Sequence, residues 1–327
     1  MNASFNEEEQ LSMAEQLDHS AQEAIDEGDY SSAANNLFAS LTIYEKVHGA
    51  NSMPFAITAH KLGGLLCERG DDLCIENPLP DAGDLLRHAL DVYNTEPDQN
   101  CLLIGSCLDT LSGLYESLGD YDEAEECCEK ALAIWIEELG SGHPTVGTSM
   151  DYLAQILEKK GQVEKAEEYF RRSLAISESN FGQEHSDIAI SLGNLASLLA
   201  KQERFADAIA LYNRMLNITQ NAYGTDHPET AKILSRLGDV YEDSGDLDVA
   251  EELFQKSWDI RRDALGEDAP LTLVSLYNLA RVLKGKGNYA KSKKYFESVL
   301  DSWKMTMDED HPNLIKVKQH LREIESA

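Results

Sequence analysis

TVGTSMDYLAQILEKKGQVEKAEEYFRRSLAISESNFGQEHS, residues 145–186, holds two apolar helical faces and the break between them. Met150, Leu153, Ala154, Ile156 and Leu157 recur at the three- and four-residue spacing of one helix face. Gly161 interrupts that run. Ala166, Phe170, Leu174 and Ile176 make a second face, which Phe181-Gly182 ends, so the spacing predicts an antiparallel helix pair. The stretch is 42 residues long, and its frame repeats through the chain. His143-Pro144, His185-Ser186, His227-Pro228, Ala269-Pro270 and His311-Pro312 stand 42 apart, as do Leu111, Leu153, Leu195, Leu237 and Leu279. Self-similarity at such a period marks a stacked-repeat architecture. Solenoids of this kind bind partners along an extended surface, and each unit packs only against its neighbours.

Small residues occupy the middle of each face: Ala154, Ala196, Gly238 and Ala280 on the first helix, Ala166, Ala208 and Ala250 on the second. Helices pack about 8–10 Å apart, so the points of closest approach need small side chains. Phe170, Tyr212, Tyr241, Phe254 and Phe296 fill the space beside them, and Ser292 stands where the other units have alanine. This small–large alternation resembles the tetratricopeptide repeat (TPR). The 42-residue stride, the linkers Leu139-Gly140-Ser141-Gly142-His143-Pro144 and Tyr223-Gly224-Thr225-Asp226-His227-Pro228, and the steps Asn194-Leu195-Ala196 and Asn278-Leu279-Ala280 are similar to the kinesin-light-chain type. The resemblance is strong over roughly 99–312 and weaker upstream. It implies an all-α, right-handed superhelical solenoid whose first helices line a concave groove.

The expected layout is a single solenoid over 1–327. Seven helix pairs fall at about 7–53, 54–98, 99–144, 145–186, 187–228, 229–270 and 271–312, and a polar-faced capping helix at 313–326 closes the stack. Gly28-Asp29-Tyr30 mirrors Gly119-Asp120-Tyr121 at two periods plus seven residues. The extra seven fall between Gly70 and Ala82, where Pro78 and Pro80 predict a longer turn. The long heptad coiled coil that precedes the repeats of kinesin light chains has no counterpart before the first repeat, so a motor-joining role is not expected.

The first residues lack the basic and apolar regions of a signal peptide, and no apolar run reaches membrane-spanning length. A cytoplasmic protein is expected. Cys67, Cys74, Cys101, Cys107, Cys127 and Cys128 include no Cys-x-x-Cys pair, which argues against zinc and for reduced thiols on helices. The histidines of the recurring turns lie one repeat apart and should not converge on a metal; linker packing or helix capping suits them better. No nucleophile elbow, phosphate loop or catalytic carboxylate pair is recognisable, so neither an enzyme nor a cofactor is expected.

Net charge is −31, and it is uneven: residues 1–150 carry 29 acidic and 5 basic side chains, residues 151–327 carry 30 and 23. Such a chain repels nucleic acid and anionic membrane. A protein or peptide partner is expected, and the oligomeric state is open. The acidic N-terminal half reads as a solvated surface that aids solubility or as a seat for a basic partner.

The resemblance also points to groove positions. The residue before the recurring Leu-Ala step is Thr110, Tyr152, Asn194, Arg236 and Asn278 in repeats three to seven. In related proteins an Asn here holds a bound peptide's backbone, and a carboxamide suits that task because it both donates and accepts. One turn earlier lie Thr148, Ile190, Lys232 and Val274, and Arg281 follows Asn278 on the same face. Lys232, Arg236 and Arg281, flanked by Asn194 and Asn278, look like a grip for an acidic side chain or a C-terminal carboxylate. The bland alternative is that Lys232 and Arg236 are solvated or pair with Asp239 and Glu242 on their own helix. Asp109, Glu116, Asp151, Tyr152, Gln155 and Glu158 are expected on the groove side of repeats three and four, favouring basic or neutral ligand segments. The leading expectation is a non-catalytic adaptor or scaffold; the second is a peptide-controlled regulator of a signalling enzyme.

Overall fold

The computed structural model describes residues 2–69 and 80–326, with side chains from Glu7 onward. The longer turn expected between Gly70 and Ala82 lies largely outside these residues, as do Gly70 and Cys74. Among the described residues every regular element is helical. The chain divides into two compact units, Met1–Ile176 and Ser177–Ala327.

The first unit is built from α1 (Asn2–Glu27), α2 (Tyr30–His48), α3 (Met53–Arg69), α4 (Ala82–Tyr93), α5 (Pro97–Leu118), α6 (Tyr121–Leu139), α7 (Pro144–Lys159) and most of α8 (Val163–Phe181). The second holds a 3₁₀ turn (Ser186–Ile188), α9 (Ala189–Lys201), α10 (Phe205–Tyr223), α11 (Pro228–Asp243), α12 (Leu247–Leu265), α13 (Pro270–Gly285), α14 (Tyr289–Lys304) and α15 (Pro312–Glu325). Within each unit successive helices pack on one another as antiparallel pairs.

The small residues sit at the contacts. Ala154, Ala166, Ala196, Ala208, Ala250 and Ala280 are fully buried. At Gly238 the approach is very close, because a Cβ there would meet the Phe254 ring at 2.8 Å. Ser292, the exception to the alanine rule, is buried and donates to the Ala280 carbonyl at 2.7 Å. That bond satisfies a hydroxyl that would otherwise be costly to bury. The last helix closes the second unit by setting Leu314, Val317 and Ile324 against Phe296, Val299 and Trp303.

The recurring turns explain the histidines. Nδ1 of His143, His227 and His311 accepts the backbone N–H two residues on at 3.2 Å, and His185 does the same at 3.3 Å. Each imidazole thereby satisfies an orphan donor at a helix start. Tyr223 stacks on His227, and Phe181 on His185. Gly161 takes φ +76 where α7 hands over to α8, a conformation that L side chains resist.

Cys107 and Cys128 are buried and free, Cys67, Cys101 and Cys127 half-buried and free. Burial pushes the Cys107 and Cys128 thiols up to about 12. Neither is poised for thiolate chemistry.

Candidate peptide-binding face

In the second unit the first helices of the pairs lie side by side. Arg281 on α13 reaches back to α11, where Nη2 donates to Asp239 Oδ1 at 2.9 Å and to Glu242 Oε2 at 2.6 Å. Lys284, one turn further on, reaches forward to α15, pairing with Glu323 and donating to His320 Nδ1 at 2.9 Å. The Tyr277 hydroxyl meets Nε2 of the same imidazole at 3.1 Å. These straps tie α11, α13 and α15 into one layer.

The straps decide which cations are free to bind. Burial works against the Arg281 charge, but Glu242 and Asp239 more than offset it and hold the guanidinium above its ordinary value. One guanidinium between two carboxylates leaves that cluster net negative, so Arg281 is engaged within the fold. Both carboxylates expected to tie down Lys232 or Arg236 are thus hydrogen-bonded to Arg281, and Arg236 acts on Asp239 only through its charge. Lys232 is exposed and makes a loose pair with Glu229 at 3.4 Å. Exposed pairs of this kind contribute only about 0–1 kcal/mol. Arg236 is exposed and makes no ion pair among the described residues.

Asn194 on α9 and Asn278 on α13 stand at the same repeat position as Arg236 on α11. Both are half-buried, and neither carboxamide makes a hydrogen bond among the described residues. One turn before the ladder Ile190 is 71% exposed, and Val274 is exposed as well. The five residues expected here therefore separate into a free Asn–Arg–Asn row, a weakly held Lys232 and a committed Arg281.

Tyr152 belongs to the first unit, is 52% exposed, and lines a hollow of about 350 Å³ with Gly64, Glu68, Asp109, Thr110, Gly113 and Glu116. Glu116 pairs with Lys159 at 2.6 Å. Asp109 accepts the Trp135 indole N–H at 2.8 Å, and burial raises its carboxyl to about 6. Asp151 corrects the expectation of a groove-side acid: it is only 8% exposed, folded into the helix packing one position before Tyr152. A one-residue step turns a side chain by about 100° around a helix, enough to move it from face to core.

Sequence reasoning missed one buried charge. Arg261 of α12 is 6% exposed and donates to Ser275 Oγ at 2.8 Å and to the Leu271 carbonyl at 3.1 Å. Ser257 and Ser235 continue the chain of hydroxyls. The 42-residue frame held a clue, since Arg261 falls at the position of Trp135, Ser177, Thr219 and Trp303.

No helix among the described residues is long and apolar enough to cross a membrane. No curated protein matches the chain. Among solved structures, nearly identical TPR-like repeats from a Podosopora anserina kinesin-light-chain candidate are 25% identical, with a TM-score of 0.57 over 63% of this chain and 97% of that one. BtubC (BKLC) from P. vanneervenii is 23% identical, with a TM-score of 0.57 over 69% and 89%. The apo form of RapI is 14% identical, with a TM-score of 0.63 over 89% and 97%. The tetratricopeptide repeat itself matches residues 106–179, 187–263 and 232–305, more than half of the chain. Stacked helix pairs, small–large packing and these matches agree: the chain belongs to the tetratricopeptide-repeat family, with repeats like those of kinesin light chains.

Proposed function

We infer that the protein is a non-catalytic adaptor or scaffold, working in the cytoplasm, that holds an extended peptide segment of a protein partner on the first-helix face of its second unit. Repeat proteins of this family are in general scaffolds without chemistry of their own. The observation that carries the reading is the row Asn194, Arg236, Asn278: three polar groups in one repeat position, none of them in a hydrogen bond or ion pair among the described residues. A carboxamide row suits a peptide backbone, and the guanidinium between the two suits a carboxylate on the bound segment. Ile190 and Val274 offer apolar contacts beside them, and Lys232 adds a second positive charge one turn away.

A displayed random-peptide library tests the reading. Segments selected by the wild type should carry Asp, Glu or a free C-terminus at a fixed position, and Lys232→Glu/Arg236→Glu should lose them. A selection that yields no binders, or binders indifferent to the double substitution, overturns it.

A further inference from the structure

Gly64 and Gly113 are helical glycines that the fold does not need. Neither has a positive φ. A Cβ on Gly64 would meet only Thr110 Cγ2, at an ordinary 3.7 Å, and a Cβ on Gly113 would meet nothing within 4 Å. Glycine inside a helix costs about 1 kcal/mol relative to alanine. Both occupy one repeat position, 49 residues apart because of the seven-residue insertion. The same position is Gln155, Ser197, Asp239, Arg281 and Glu323 further along. From Asp239 on it is filled by ion-paired side chains, and at Gly64 and Gly113 it is left open.

What the missing side chains open is a pair of hollows in the first unit. One, of about 330 Å³, is lined by Asp18, Tyr30, His60, Lys61, Gly64 and Glu68, among others. The other, of about 350 Å³, holds Asp109, Gly113 and Tyr152, and the two share Gly64 and Glu68. Three carboxyl groups face this space with no cation of their own. Asp18 takes weak bonds from Tyr44 and Thr58 at 3.4 Å, and its Oδ1 is enclosed without a partner. Glu68 is exposed and makes no ion pair among the described residues. Asp109 has the Trp135 N–H on one oxygen. Among the described residues Lys61 is the one cation on the lining, exposed at the rim, and Arg69 stacks on the lining ring of Tyr30.

We propose that the Gly64 trough of the first unit is a second binding site, one that takes the lysine or arginine side chains of a basic peptide segment. Charge complementarity selects this occupant. The 29 acidic against 5 basic side chains of residues 1–150 draw a basic segment in, and Asp18, Glu68 and Asp109 give its cations places to end. Tyr152 supplies a face for an aliphatic stem or a cation, while the Tyr30 ring already carries the Arg69 guanidinium at 4.7 Å. The site rests on the family's use of its first-helix face, but on different residues from the Asn–Arg–Asn row.

The full-length chain is titrated into a fluorescein-labelled oligo-lysine peptide at about 50 mM salt, where surface charge is weakly screened, with an oligo-glutamate peptide of equal length alongside. Gly64→Leu fills the passage without removing charge. Glu68→Gln/Asp109→Asn removes two charges from the trough. Glu123→Gln/Glu137→Gln removes two from the exposed face of α6. The expected result is anisotropy-detected binding of oligo-lysine alone, weakened at least about tenfold by the first two variants and less than about twofold by the α6 pair. Helicity and melting of Gly64→Leu should be no lower than those of the wild type, because its Cβ has room and leucine favours the helix. Lys232→Glu/Arg236→Glu should keep oligo-lysine binding, so the two sites stand or fall separately. Absence of oligo-lysine binding overturns the proposal. So does a folded Gly64→Leu that binds as the wild type does, or an α6 pair that loses as much as the trough pair.

Discussion

Gly238 and Gly64 are both helical glycines, and a Cβ would act on them in opposite ways. At Gly238 the added atom collides with a rigid buried ring at 2.8 Å. Gly238→Ala should therefore destabilise by about 1–3 kcal/mol despite its better helix propensity. Gly64→Ala meets only open space and Thr110, so it should stabilise by up to about 1 kcal/mol. Urea unfolding of both variants checks the contrast, and equal shifts would contradict it. Asp109 gives a pH-dependent counterpart. Burial raises its folded carboxyl to about 6, above the unfolded value of about 3.9. The folded chain then binds more protons between those values, so this group subtracts stability as pH rises through the window, in full above pH 6. Asp109→Asn keeps an acceptor for Trp135 and should be more stable than wild type by on the order of 2 kcal/mol at pH 7.5, with no advantage below pH 4. Denaturation midpoints at the two pH values measure this, and a constant difference would refute the burial argument.

Helix starts set the element scale. Four recurring turns place a histidine at the N-cap, and the fifth places Ala269, whose side chain caps nothing. Ala269→Asp should raise stability by about 0.5–1 kcal/mol, and His227→Ala should lower it by a similar amount. Calorimetric melting of both tests whether capping is what the histidines do. At this scale most of the fold was legible: the helix pairs follow from apolar spacing, and the turns from glycine and His-Pro punctuation. The candidate site was legible by position but not by pairing. Asn194, Arg236 and Asn278 follow from the 42-residue frame, because the frame fixes which face a residue shares. That Arg281 would be claimed by Asp239 and Glu242 depends on contacts between helices 42 residues apart, and same-helix spacing does not reveal them. Asp151 was misjudged because neighbouring positions on a helix differ by about 100°. The Gly64–Gly113 relation was hidden by the seven-residue insertion, which breaks the simple stride.

Across the whole chain the two units carry opposite solutions to one geometrical problem. In the second, charged side chains lace the first helices together, and a free Asn–Arg–Asn row stands clear of the lacing. In the first, Gly64 and Gly113 leave the corresponding position open beside Asp18, Glu68 and Asp109, which make no ion pair among the described residues. An adaptor with two such faces could hold an acidic-tagged segment on one and a basic segment on the other. Added salt should weaken the basic-peptide interaction more steeply than the backbone-gripping one, since screening acts on charge and spares carboxamide hydrogen bonds. The most direct test of the central claim is the dissociation constant of one library-selected peptide for the wild type, Arg236→Ala and Asn194→Ala/Asn278→Ala. The row being the ligand's seat requires each variant to bind at least about tenfold more weakly while melting normally; variants that bind within about twofold of wild type would contradict it.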